Sequence, residues 1–216
     1  MHKLRGREAG QVPPGRHADD GKHMRVWFTS DTHFDHRLVA GNRGFAAPAG
    51  HDAALVDNWN DLVAPDDEVW HLGDLGMGDP ARWVDTVRRL HGRIHLVTGN
   101  HDRCAPGVRR DAHRHQRAWL EFLTSVQPFA RLRLDGHTVL LSHYPYVGDH
   151  TATDRYREWR LPDLGDRLLH GHVHSTDRLH GRQLHVGLDA WELRPVAAEE
   201  ITALFDGQEA GEAHEE

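Results

Sequence analysis

Short apolar runs recur along this 216-residue chain, and each stops abruptly at side chains able to hold a metal or move a proton. The clearest is Leu96-Val97-Thr98, followed at once by Gly99-Asn100-His101-Asp102. So short a run fits a strand buried in a sheet, and the polar cluster behind the glycine is then presented by a rigid scaffold. Taken alone, Asn100-His101-Asp102 is equally well a turn whose polar side chains bond their own backbone. Recurrence elsewhere in the chain has to decide.

The same break follows Arg25–Ser30, which runs into Asp31-Thr32-His33-Phe34-Asp35-His36, and Glu68–Leu72, which runs into Gly73-Asp74. Between them His51–Val63 carries apolar residues at helical spacing with Pro65 just beyond, and Pro80 opens a second helical pattern over Ala81–Leu90. Ile94–Thr98 is the third strand, so the first half predicts a βαβαβ arrangement. Right-handed crossovers then make a largely parallel sheet with its ligands at the carboxyl ends of the strands. A polar stretch, Arg103–Arg117, leads to a helix around Ala118–Leu123. Phe129–Leu134 and Thr138–Ser142, joined by Asp135-Gly136, predict a hairpin that delivers His143. A polar insertion over Val147–Leu161 precedes Arg167–His170, a strand that ends in Gly171-His172-Val173-His174. Gln183–Gly187 and Glu200–Phe205 read as late strands.

The totals place these elements in one globular domain. Charged residues are 27% and hydrophobic ones 38%, and no window is long and apolar enough to span a membrane. A net charge of −7 argues against a protein built to coat nucleic acid, although local basic patches remain compatible with it. Residues 1–23, rich in Gly, Pro and charge, are expected to be a disordered leader, with the fold over 24–206 and an acidic disordered tail over 207–216. Met24, directly before the first strand, is a candidate start. A lone Cys104 excludes an internal disulfide and points to a reducing cytoplasm; without an evident base it reads as a spectator.

Collected in order, the strand ends are Asp31-x-His33, Gly73-Asp74, Gly99-Asn100-His101-Asp102, Ser142-His143 and Gly171-His172-x-His174. This series resembles the calcineurin-like metallophosphoesterase superfamily over roughly Arg25–Phe205, and most of all its compact bacterial group with Asp-Thr-His-Phe in the first motif. The resemblance implies a four-layer α/β/β/α sandwich, two mixed sheets flanked by helices. It also implies a binuclear centre in which Asp31, His33, Asp74 and His174 hold one ion and Asp74, Asn100, His143 and His172 the other. A hydroxide between the ions would attack a phosphoester, with His101 assisting the leaving group. The donors agree: a mixed oxygen and nitrogen set of this size is too large for one tetrahedral zinc and suits two divalent ions, manganese first, with iron, zinc, nickel or cobalt also accepted. One departure matters. Protein phosphatases of the superfamily extend the second motif to Gly-Asp-x-x-Asp-Arg-Gly, whereas Met77 stands where the later aspartate belongs. The protein-phosphatase reading loses its support, and His101 needs another partner. Asp102 is a candidate to orient it.

A phosphodiester is the favoured substrate, as a nucleotide, cyclic nucleotide or nucleic-acid end. The alternatives are a small phosphomonoester and a non-catalytic metal-binding scaffold. Arg103, Arg155, Tyr156 and Arg157 are candidate substrate contacts, the last three in an insertion whose Trp159 and Arg160 also suit stacking on a base or pairing with phosphate. With 21 histidines, chance pairs are expected. His113-Arg114-His115 reads as a solvated run, His36 as a helix-start or surface residue, and His71, His137, His150, His170, His180 and His185 as structural.

Overall fold

The computed structural model describes residues 24–212, so the expected leader and residues 213–216 lie outside the described residues. The first half comprises β1 (Val26–Thr29), α1 (Arg37–Asn42), α2 (Pro48–Asn60), β2 (Glu68–His71), α3 (Val84–Val87), β3 (Arg93–Val97), α4 (Ala112–Trp119) and β4 (Ser125–Gln127). The second comprises β5 (Ala130–Leu134), β6 (His137–Leu141), β7 (Arg167–His170), β8 (Leu179–His180), β9 (Gln183–His185), β10 (Val196–Ala197) and α5 (Ala198–Glu212). These build two five-stranded mixed sheets, ordered β10-β1-β2-β3-β4 and β5-β6-β7-β9-β8. Strands β1 to β4 are parallel, as the alternation with helices demands, and only β10 runs against them.

Period-two alternation assigns each side chain of the first sheet to a face. Trp27, Val69, Ile94 and Leu96 face outward and are covered by Leu55, Val56 and Trp59 of α2, Val87 of α3, and Trp83 and Trp119. Phe28, Leu72 and Val97 face inward and meet Val139, Leu141, Leu169 and Leu184 of the second sheet. Leu168 and Gln183, paired across β7 and β9, lie on the second sheet's far side, where Gln183 exchanges hydrogen bonds with the backbone of Val147. The insertion, with a short 3-10 turn at Arg157–Trp159, therefore helps to cover that face. The hairpin forms where Asp135-Gly136 predicts it: both residues take positive φ, and Leu134 pairs with His137.

Some elements differ from expectation. Ala81–Leu90 divides into a 3-10 turn, Pro80–Arg82, and the single-turn α3, because Trp83 at φ −129° interrupts the helical path. Helix α4 lies earlier than Ala118–Leu123, with Ala112 and Trp119 as its buried residues. Glu200–Phe205 is not a strand. It belongs to α5, which buries Ile201 and Phe205 one turn apart and takes in 207–212, residues expected to be a disordered tail. The Ala198–Glu212 helix follows β10 directly, and Glu199 and Glu200 in its first turn complement the helix dipole.

Candidate metal centre

The carboxyl ends of the strands from both sheets converge on one cleft, and Ser30, at the end of β1, bridges to Gly187 beyond β9. Around that junction His33 Nε2 lies 3.2 Å from His174 Nε2, 3.8 Å from Asp31 Oδ1 and 3.7 Å from Asp74 Oδ2. His143 Nε2 lies 3.5 Å from Asp74 Oδ2 and 3.1 Å from Asn100 Oδ1. Two donor groups result, Asp31–His33–His174 and Asp31–Asp74–His143, each with its ligand atoms within 4.8 Å of one another. The backbone is strained to reach them: Asp31, His33, Asp74, His172 and His174 all have positive φ between 48° and 72°. It is also tightly packed, since a Cβ on Gly99 would strike the Asp74 carboxylate and one on Gly171 would strike Ser30 Oγ and Asp31.

The neighbouring groups leave donor atoms free for a cation. His143 Nδ1 donates to Leu72 O at 2.8 Å, so Nε2 keeps its lone pair toward Asp74. His174 Nδ1 bonds Asp189 Oδ2 at 2.8 Å, again leaving Nε2 for the centre. Asp189 is held in turn by Arg43, whose Nε and Nη2 reach its two oxygens at 2.8 and 2.9 Å while Nη2 also donates to Asp31 O at 2.9 Å. Neither Arg43 nor Asp189 figures among the residues expected from the sequence.

Burial dominates the electrostatics. It pulls His33 well below its ordinary value and His172 down to about 3, so both imidazoles are neutral and able to ligate. Burial also lowers His174, but its hydrogen bond to Asp189 and the charge of Asp31 outweigh this and raise it. Burial and the charge of Asp31 push Asp74 well above the carboxylate range, while His174, His143 and His33 overcome burial to hold Asp31 well below it. Two buried carboxylates in mutual conflict, beside the neutral imidazoles of His33 and His172, are a donor set that a divalent cation satisfies. The residues fit the expected ions.

His172 is less simply placed. Its backbone N–H donates to Asp31 Oδ2 at 3.1 Å, and its ring is 5.1 Å from that of His143. Its buried Nε2 has no hydrogen-bond partner and lies 3.5 Å from Asp149 Oδ2, making a third donor group with Asp149 and His150. His150, expected to be structural, thus borders the centre and lines its cleft.

His101 stands at the rim, its side chain 34% exposed and its Nε2 4.0 Å from Asp74 Oδ2, with its backbone N–H donating to Asp74 Oδ1 at 2.8 Å. Burial, aided by His36, pulls its pKa down to about 4. Asp102 is not its partner. That carboxylate accepts from the backbone N–H groups of Asp74, Leu75 and Gly99 at 2.9, 3.0 and 2.7 Å and ties the second and third strand ends together. Burial and the nearby Asp74 nonetheless push it up to about 7. His36 caps the N-terminus of α1, and His71 is fully buried with its Nε2 2.9 Å from Thr32 Oγ1. Cys104 is buried, which raises its thiol pKa.

Two cavities meet at His101. One, of about 830 Å³, holds His33, Asp74, His150, Arg155 and His174 and extends to Leu38 and Val39. The other, of about 520 Å³, is lined by Asn100, His101, Arg103, Arg109 and Arg110. Of the expected substrate contacts, Arg103 and Arg155 border these spaces, Arg155 while paired with Asp149 at 3.0 Å. Tyr156 stacks on Tyr144, and Arg157 pairs with Asp154 outside both cavities.

Comparison with known proteins identifies relatives of the whole fold. A family model described as the calcineurin-like phosphoesterase superfamily domain matches residues 24–187. The chain is 45% identical to the Gene 66 protein of Mycobacterium phage D29, over 86% of this chain and 98% of that protein. It is 42% identical to the Gene 66 protein of Mycobacterium phage L5, over 84% and 94%. Among solved structures, a protein of unknown function from Aquifex aeolicus shares the fold with a TM-score of 0.63 at 23% identity, covering 84% of this chain and all of that one. Among the described residues no helix is long and apolar enough to cross a membrane.

Proposed function

Because this chain belongs to the calcineurin-like phosphoesterase superfamily, we propose that it hydrolyses a phosphodiester of the nucleotide class with two divalent ions, manganese first among them. Asp31, His33, Asp74 and His174 would hold one ion, and Asp74, Asn100, His143 and His172 the other. Bound there, two divalent ions would lower the pKa of a bound water and neutralise charge on the phosphoryl oxygens. The protein supplies the rest. Asn100 offers an amide oxygen that adds no negative charge against an anionic substrate. His101, kept neutral by burial in the free protein, would take up a proton from solvent beside a bound phosphoryl anion and pass it to the departing oxygen.

The observation that carries the diester reading is the position of His101 between two cavities. A diester has two arms to accommodate on either side of its phosphorus, whereas a monoester has one. The buried Cys104 fits a reducing compartment, and we assign the protein to the cytoplasm.

The test is a panel of bis- and mono-p-nitrophenyl phosphate with manganese, iron, zinc, nickel and cobalt. Faster diester turnover is expected; preference for the monoester overturns the diester reading, and inactivity on both favours a scaffold. Asp74→Ala is expected to lose metal and activity together. His101→Ala should keep the metals and lose about 10²- to 10⁴-fold in turnover. Stoichiometric metal in the Asp74 variant, read by elemental analysis, would refute the bridging role.

A further inference from the structure

We infer that a third, aromatic pocket beyond His101 binds the nucleobase of a nucleotidyl phosphodiester. It encloses about 320 Å³ between the loop that follows Asn100 and the insertion, walled by Pro106, Val108, Phe129, Tyr144, Trp159 and Leu161. Three of these walls are large apolar side chains left open to solvent: Phe129 is 55% exposed, Trp159 47% and Val108 44%. Burial would have been available to them in the core, so their gathering around one cavity marks a place for a flat apolar ligand. The chain is shaped to it. Trp159 lies so close to Gly107 that a Cβ there would come within 2.6 Å of the indole.

Polar groups on the same walls suit a heteroaromatic ring. Thr98, Ser142 and Glu158 line the cavity, offering hydroxyl and carboxylate partners. Arg160 lines it with a side chain only 8% exposed, its Nη2 held by the Asp154 carboxylate, Gly148 O and Arg155 O. A base carbonyl or ring nitrogen would accept from the two hydroxyls, and a base N–H would donate to the Glu158 carboxylate.

Position and charge link the pocket to the metal centre. Val108 is a wall both of this pocket and of the cavity that holds Asn100, His101, Arg103, Arg109 and Arg110. Arg109 is paired with Asp111, whereas Arg103 and Arg110 have no carboxylate partner among the described residues. The order from the centre outward is therefore metal ligands, cationic side chains, then aromatic walls. Phosphate, sugar and base follow the same order in a nucleotide, and stacking with flanking cations is how single nucleotides are held without sequence readout. This inference rests on the phosphodiesterase reading for its substrate, but the pocket can be tested apart from it.

In the presence of EDTA, saturation-transfer NMR with thymidine 5′-monophosphate should show transfer to the thymine protons. That transfer should fall at least about threefold in Trp159→Ala and Phe129→Ala, and not in Leu164→Ala, a control at an exposed position away from the pocket. Thermal melting checks that each variant is folded. With manganese, kcat/KM is compared for thymidine 5′-p-nitrophenyl phosphate and methyl p-nitrophenyl phosphate, whose methyl arm is too small to stack. The ratio of the two should fall about 5- to 150-fold in the pocket variants, the range expected for loss of one stacked base. Absence of thymine transfer, or variants that alter neither transfer nor ratio, overturns the pocket. Transfer that the variants abolish in a protein hydrolysing neither diester upholds the pocket and overturns the phosphodiesterase reading alone.

Discussion

At the scale of single residues, the side chains behind the candidate ligands decide how well they are held in place. Asp189 fixes the tautomer of His174 and is itself fixed by the two-pronged contact from Arg43. Asp189→Asn keeps the shape but removes the charge, and its manganese affinity is expected to drop about 10- to 100-fold. Isothermal titration calorimetry reads this directly; an unchanged dissociation constant would reduce Asp189 to a packing residue. Asp102 shows the opposite lesson. Its place in the Asn-His-Asp turn suggests chemistry, yet its oxygens are taken by backbone donors from two strand ends. Part of this is a turn bonded to its own backbone, because Gly99 is one of those donors.

At the scale of elements, strand pairing is pinned at the end remote from the site. Asp67, buried just before β2, accepts from the backbone N–H of Arg25 and Ala64 and from Trp27 Nε1 at 3.0, 2.9 and 2.9 Å, tying β1 to β2. Burial opposes its ionisation, but these donors prevail and hold the carboxyl below its ordinary value of 3.8. A depressed acid stabilises the fold above its unfolded pKa and loses that contribution as pH falls through the folded one. Asp67→Asn should therefore cost about 1–3 kcal/mol at neutral pH. Its deficit relative to the native chain should shrink as pH drops below about 4, in urea titrations followed by tryptophan fluorescence. Elements of this kind were legible where a strong period met an abrupt polar end, which covers β1, β2, β3, β6 and β7. Strand β10 was not, because two residues carry no period. Helix α5 reads as a strand in the sequence because Ile201-Thr202 favours a strand locally, while the deciding Ile201 and Phe205 spacing matters only once a core exists. Asp189 follows β9 closely, and the rule that a carboxylate at a strand end deserves a role would have found it. Arg43, 146 residues from that partner, had no local signal.

At the scale of the whole molecule, one helix closes the space between the sheets. Phe205 of α5 is fully buried in the inter-sheet core, with the Arg167 guanidinium 4.5 Å above its ring. Phe205→Ala should cost about 3–5 kcal/mol, seen as a lower urea midpoint, and a shift under 1 kcal/mol would mean that α5 is dispensable. The close packing of Gly99 and Gly171 against the Asp74 and Asp31 carboxylates has a further consequence for how such a protein can change. Neither glycine has room for even one added methyl group, so drift at these positions is blocked. The loop after Asn100 and the insertion after His143, by contrast, line the outer cavities. Those outer loops can vary while the cluster of buried Asp and His side chains is inherited intact.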